Sequence, residues 1–114
     1  MDVETPPVAV EFVTTSLTSQ NLGEKLGWTT REQALPVERE FVRAIPNVEW
    51  CDLASHGYMV IDVTAERVIG EWWFVDTILQ RTDGQRLAAA WRVDHGTPKL
   101  HPVIAGAAAA EGSA

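Results

Sequence analysis

A chain of 114 residues is the size of one ordinary domain, long enough to bury roughly two-thirds of the surface its unfolded form exposes and too short for two independent cores. Nine basic residues against sixteen acidic ones give a formal charge of −7, and the basic residues are scattered, which argues against a phosphate backbone as partner. With 46% hydrophobic residues the composition is that of a globular domain rather than a disordered one, and no apolar run approaches the ~20 residues of a membrane-spanning helix.

Residues Met1 to Pro7 are acidic and close on Pro6-Pro7, which predicts a disordered, extended leader over 1–7 ahead of a single domain over 8–104. The N-terminus has no positively charged segment followed by an apolar stretch and a small-residue cleavage site, so it reads as carrying no export signal. Val8 to Thr15 places apolar residues on both faces of an extended segment and predicts a strand buried from two sides, with Glu11 a costly exception unless paired. The hydroxyl-rich Ser16 to Asn21 that follows can cap a helix or hold a ligand, and capping is the commoner role.

Gly23 to Ala34 has two glycines and weak periodicity and reads as an irregular connector. Within it, Thr29 or Thr30 followed by Glu32 and Gln33 has the pattern of a capping box for a short helical turn. Pro36 to Ile45 predicts a helix: Pro36 suits the first helical position, Val37, Phe41, Ala44 and Ile45 share a face, and Pro46 stops it. The opposite side carries Glu38, Arg39, Glu40 and Arg43. Val48 to Ala54 predicts a strand that holds Cys51 as a buried or half-buried thiol; as the single cysteine, it has no disulfide partner within the chain.

The stretch from His56 to Asp76 organises the rest. Two runs rich in β-branched and aromatic residues, Tyr58 to Val63 and Val68 to Val75, flank Thr64-Ala65-Glu66-Arg67 and predict a hairpin with a four-residue loop. Val63 then faces Val68, Ile61 faces Gly70 and Met59 faces Trp72, which makes one wholly apolar face that needs a cover. The other face pairs Asp62 with Ile69, Val60 with Glu71 and Tyr58 with Trp73. The second strand is expected to run on through Arg81 to a tight turn at Asp83-Gly84, which sets Ile78 opposite Ala89 and Phe74 opposite Val93 in a third strand from Arg86 to Val93. Asp76 falls opposite Trp91 in that register and marks an expected bulge. A turn at His95 to Pro98 and a short strand from Lys99 to Ile104 follow, and Ala105 to Ala114 reads as a disordered tail. The fold class is α+β: β-rich, with antiparallel hairpins and one helix.

Chemistry is sparse. His56, His95 and His101 are not at metal-ligand spacing, and each reads as a solvent-facing or locally bonded imidazole. Ser16, Ser19 and Ser55 lack a nucleophile elbow, and Asp52, Asp62 and Asp76 sit where carboxylates cap turns or accept indole N–H bonds. Gly23 and Gly27 are not part of a phosphate-binding loop. Trp72 and Trp73 point to opposite faces, one toward a core and one toward an interface, so no catalytic or cofactor-binding residue is assigned from the residues themselves.

Three stretches read together, Val10 to Ser19 (VEFVTTSLTS), Val48 to Leu53 (VEWCDL), and HGYMVIDVTAERVIGEWWFVDTILQRTDG with the following AAAWRV, resemble the C-terminal part of the alkaline phosphatase D family, the PhoD-like metallophosphoesterases. The resemblance spans most of Val8 to Val93 and implies a β-rich partial sandwich, the C-terminal part of a metallophosphoesterase-type αββα fold. It also implies hydrolysis of phosphate mono- or diesters at a centre of two metal ions of iron and calcium type, in proteins often exported by a twin-arginine signal. Such a centre needs carboxylates, histidines and an asparagine within a few ångströms of both ions. In the family these come from Asp, Asn-His and Gly-Asp-x-His motifs expected upstream of Val8, and where many relatives carry Asn-Pro-His this chain has Ile45-Pro46-Asn47. No metal ligand therefore carries over onto a residue here. The closest approach to an active-site rim is the loop of Thr15, Ser16, Thr18 and Ser19. The resemblance implies a scaffold fragment, inactive alone, whose partner is the missing N-terminal catalytic part; the alternative is a stand-alone β-rich module without catalysis that dimerises or binds a partner through the Trp73 and Tyr58 face, with self-association through an exposed sheet as one form of it.

Overall fold

The computed structural model describes residues 6–103. The expected leader over 1–7 and tail over 105–114 fall mostly or wholly outside them; Pro6 and Pro7 are exposed. Four antiparallel strands form one sheet in the order β1 (Gly57–Val63), β2 (Arg67–Val75), β3 (Gln85–Asp94), β4 (Thr97–Val103). Before them come a short helix α1 (Leu22–Lys25), a 3₁₀ turn (Arg31–Gln33) and the main helix α2 (Leu35–Ala44). This is the expected α+β, β-rich architecture with one substantial helix.

The β1–β2 hairpin has the register its apolar pattern demands, with Val63 opposite Val68, Ile61 opposite Gly70 and Met59 opposite Trp72. Its loop is tied by Thr64, whose N–H donates to the Arg67 carbonyl at 2.9 Å while its hydroxyl accepts the Arg67 N–H at 3.1 Å. The β2–β3 register differs from the expectation. Strand β2 ends at Val75 rather than continuing to Arg81, and Phe74 lies opposite Arg86, not Val93. The connection is a loop from Asp76 to Gly84, closed by an Asp76 N–H to Gly84 carbonyl bond of 3.0 Å. Thr77 and Thr82 hydroxyls accept the N–H groups of Leu79 and Gly84 within it, so local side-chain bonds compete successfully with an extended ladder. The register break falls between Trp72 and Trp73 instead of at Asp76.

Two segments expected as strands, Val8 to Thr15 and Val48 to Ala54, join no ladder. Their apolar side chains serve as a lid on one sheet face. Phe12 meets the Trp72 ring edge-on at 5.3 Å, and Trp50 packs on Trp72 at 5.6 Å and stacks on Phe74 at 6.3 Å. The Trp72 indole N–H donates to the Val13 carbonyl at 2.8 Å, tying the segment's backbone to the sheet. Gly70 is what admits Phe12, since a Cβ there would lie 2.9 Å from the phenyl ring. Glu11, free of any two-sided burial, is simply exposed. On the opposite face Ile69 is fully buried and Ala90 buried, with Val103 packed against them.

Helix α2 matches its expected span but not its expected face. Val37 and Phe41 are about 40% exposed, at 39% and 40%, whereas Glu38 is 5% exposed. Ala34, Glu38 and Val42 line the inner side, because Glu38 is the acceptor around which the preceding turn and the segment after the helix close.

Candidate functional site

The chemistry-bearing side chains gather where the loop before α1, the 3₁₀ turn and the entry to β1 meet. An open cleft of about 350 Å³ lies there, walled by Trp28 and edged by Glu24, Arg31, His56, Asp76 and Arg86. At its floor His56, only 8% exposed, joins three chain segments. Its Nδ1 lies 3.1 Å from the Ser16 carbonyl, which can only accept, so the ring proton is assigned there. Its Nε2 lies 2.9 Å from Glu24 Oε1 and 3.3 Å from Asn21 Nδ2. The carboxylate asks for a donor at Nε2 and the amide for a lone pair, so Nε2 satisfies one of the two at a time.

Asn21 and Glu24 are themselves locked as a capping box on α1. The Asn21 Oδ1 accepts the Glu24 N–H and Glu24 Oε1 accepts the Asn21 N–H, both at 2.9 Å. Asn21 Nδ2 also donates to the Ala54 carbonyl at 2.9 Å. The Asn21 backbone bond is the main reason the Glu24 carboxyl sits below its usual range, opposed by desolvation and helped by His56. The role expected of the Ser16 to Asn21 loop, capping a helix, is thus carried by its last residue.

A second cluster adjoins the cleft. Arg31 spans Glu38 with bonds of 2.9 and 2.7 Å and reaches Asp52 Oδ2 at 3.3 Å. Glu38 Oε1 also accepts the Leu53 N–H at 2.7 Å. Asp52 caps the turn into β1, accepting from the Ala54 and Ser55 N–H groups at 2.9 and 2.8 Å and from the Ser55 hydroxyl at 3.0 Å. That is the turn-capping role expected of Asp52. Cys51, half-buried as expected though in no strand, donates to the Glu38 carbonyl at 3.7 Å. Burial raises its thiol pKa, the Glu38 and Asp52 charges raise it further, and Arg31 offsets part of this.

The four rim residues sit beside this cleft without lining it. Thr15 and Ser16 are half-buried, and Thr18 and Ser19 are exposed. The Ser16 hydroxyl is spent on the Ser19 carbonyl at 2.9 Å, and the loop's tie to the fold is the Ser16 carbonyl on His56. Of the other histidines, His95 is exposed and His101 is half-buried with its Nε2 3.9 Å from Asp94.

A family model described as PhoD-like phosphatase matches residues 1–72. The chain belongs to the PhoD-like phosphatase family. The match takes in the rim loop, the His56 and Arg31 clusters, α2 and β1, and stops within β2 at Trp72. Searches of curated proteins and of solved structures found no match.

The PhoD-like family is metal-dependent, and the donor set described here does not fit a two-metal centre. Among the described residues no three of His, Cys, Asp and Glu converge on a point that would hold an ion. The nearest pair, His56 and Glu24, offers two donors, with His56 Nδ1 already committed to Ser16. Glu38 and Asp52 are neutralised by Arg31 and by backbone N–H groups. The residues that sequence reading missed are His56 as a junction and Glu38 as a buried acceptor; the Asn21-x-x-Glu24 spacing was a legible capping signal, whereas nothing local marks Glu38 for burial.

Proposed function

We propose that this chain is the C-terminal, scaffold-forming portion of a PhoD-like phosphatase, and that it is catalytically silent without the portion that bears the metal-ligand motifs. The observation that carries this reading is the allocation of its acids and imidazoles. His56, Glu24, Glu38 and Asp52 each serve to join backbone segments, and none is left converging with others on a common point. The complete enzyme would hydrolyse phosphate mono- or diesters, with metal ions that would supply Lewis-acid chemistry and would be held by residues other than those described here. This portion contributes a pinned loop and a sheet.

In that enzyme Thr15, Ser16, Thr18 and Ser19 form part of the active-site rim, held in place through His56. The test has two arms. The purified chain, loaded with iron and calcium salts, is assayed against p-nitrophenyl phosphate and bis(p-nitrophenyl) phosphate, with metal analysis of the same sample; no turnover and no stoichiometric metal are expected. Turnover accompanied by two bound metals per chain would overturn the proposal. In a longer chain that carries the upstream motifs, Thr18→Ala with Ser19→Ala should raise KM and leave metal content unchanged.

A further inference from the structure

The two outer strands of the sheet are not alike. Strand β4 carries Pro98, Lys99 and Pro102, residues that blunt an edge by removing donors and placing charge on it. Strand β1, GYMVIDV, has neither proline nor lysine, and no described strand pairs with its outer side. Tyr58, Val60, Ile61 and Val63 are 36%, 41%, 42% and 67% exposed, an apolar row along that edge. An open edge of this composition is a template for another strand.

The edge is complementary to itself. Hydrogen bonds from Val75 N–H to the His56 carbonyl and from Thr64 N–H to the Arg67 carbonyl fix which β1 residues face β2. Bonded pairs recur at every second residue of an antiparallel ladder, so Tyr58, Val60 and Asp62 turn their backbone groups inward. Gly57, Met59, Ile61 and Val63 turn theirs outward. A two-fold axis at Val60, the middle of the seven-residue strand, sets Met59 opposite Ile61 of a second copy and Gly57 opposite Val63. Every outward-facing residue then meets an outward-facing residue, giving about four hydrogen bonds from Met59 and Ile61 and up to about four more from Gly57 and Val63. Side chains stay on their own faces, since directly opposed residues share a face.

Charge does not oppose this register despite the net −7 of each chain. The only ionisable side chains on β1 besides Tyr58 are the two copies' Asp62, which lie roughly 13 Å apart across the axis at strand spacing, beyond the ~8 Å Debye length at physiological salt. Each is already paired with its own Arg67 at 3.2 Å. We propose that β1 is the contact surface of a two-fold homodimer, in which two four-stranded sheets join edge to edge through antiparallel β1 strands. The contact is one strand wide, so dissociation in the micromolar range is expected, as for small interfaces of under about 1,200 Å².

Light scattering after size exclusion at roughly 100 µM tests it, a loading well above the micromolar dissociation expected for so small a contact. The chain should weigh twice 12.6 kDa. Val60→Lys places two like charges across the axis at about 4.5 Å between Cα atoms and should return the mass to one chain. The lysine falls opposite Glu71, whose Oε2 is buried without a partner, so the monomer fold is not penalised. Ile61→Pro removes an outward N–H and should do the same while sparing the bonds to β2. Hydrogen exchange needs no variant: Met59 and Ile61 amides should be protected in concentrated solution and lose that protection on dilution, while those of Val60 and Asp62 stay protected throughout. A wild-type monomer at that concentration, or dimers that persist in both variants, overturns the proposal; in the first case the edge is left to a strand from elsewhere in a longer phosphatase. None of these masses depends on phosphatase activity.

Discussion

Replacing Glu38 by alanine should be the most damaging single change to the part of the chain that precedes the sheet. The carboxylate is 5% exposed and accepts Arg31 Nη1 at 2.9 Å, Arg31 Nη2 at 2.7 Å and the Leu53 N–H at 2.7 Å. Breaking a buried ion pair by removing one partner costs about 3–5 kcal/mol, chiefly because the other charge is stranded. Arg31 is 35% exposed and can turn to water, which places the charge part at the lower end. The Leu53 N–H has no such escape and adds about 1–3 kcal/mol as an unsatisfied donor. The charge part of about 3 kcal/mol and the unsatisfied donor of about 1–3 kcal/mol make an expected loss of about 4–6 kcal/mol, or roughly 16 °C and more in melting temperature at about 4 °C per kcal/mol for a domain slightly above 100 residues. Circular dichroism melts of Glu38→Ala and Glu38→Gln decide the matter. Glutamine keeps an acceptor for Leu53 and should recover about 1–2 kcal/mol. A Glu38→Ala melt within about 3 °C of wild type, worth under 1 kcal/mol, would refute the view that this carboxylate holds the turn, the helix and the approach to β1 together.

Gly57→Ala should prevent ordered folding of β1, because its Cβ would fall on the Trp73 carbonyl oxygen and 2.8 Å from Phe74 Cδ1; a variant with a wild-type melt would show that β1 enters the sheet differently. Glu24 has a folded pKa below its ordinary 4.5, so its contribution is present above that value and is lost as pH falls through the folded one. Melts of wild type and Glu24→Gln should therefore converge below pH 4.5, and a constant difference across that range would remove Glu24 from the capping junction. Cys51, with its thiol pKa raised by burial and by Glu38 and Asp52, should react with iodoacetamide at pH 8 several-fold more slowly than free cysteine; an equal rate would mean that the segment after α2 opens readily.

The sheet was more legible than the site, and particular residues show why. In the β1–β2 hairpin the alternation of Met59, Ile61 and Val63 against Val68, Gly70 and Trp72 leaves only one register that keeps apolar side chains together. Asp83-Gly84 misled because a two-residue turn signal says nothing about hydroxyls nearby: Thr77 and Thr82 gather the chain into a longer loop and shift β3 along β2. Val8 to Thr15 has the composition of a strand, and its half-buried Phe12 packs on the sheet as a strand residue's would, but by lying across the face. Pattern reports which side chains seek cover and is silent on whether the backbone that carries them joins a ladder. The α2 face was misread for a related reason: hydropathy ranks Val37 and Phe41 above Glu38, and only the position of Arg31 and Leu53 in space reverses the order.

The same geometry separates acid content from metal affinity. An excess of carboxylates invites the expectation of a cation site, yet a divalent ion competes for lone pairs that other donors already hold. At Glu38 and Asp52 it would have to displace the Arg31 guanidinium and several backbone N–H groups together, trading charge-assisted bonds worth about 1.5–3 kcal/mol each for coordination that neither pair completes. At Glu24 it would have to break the cap of α1 and the hold on His56. Asp62 and Asp94 are engaged by Arg67 and Arg92 at 3.2 and 3.0 Å. The side chains that look reactive in the sequence are those that pin the loop before α1, α1 itself and the turn into β1 to one another. Among the described residues the Glu71 Oε2 is buried without a hydrogen-bond partner, one strand in from the open β1 edge, and one carboxylate oxygen alone does not make a seat for an ion.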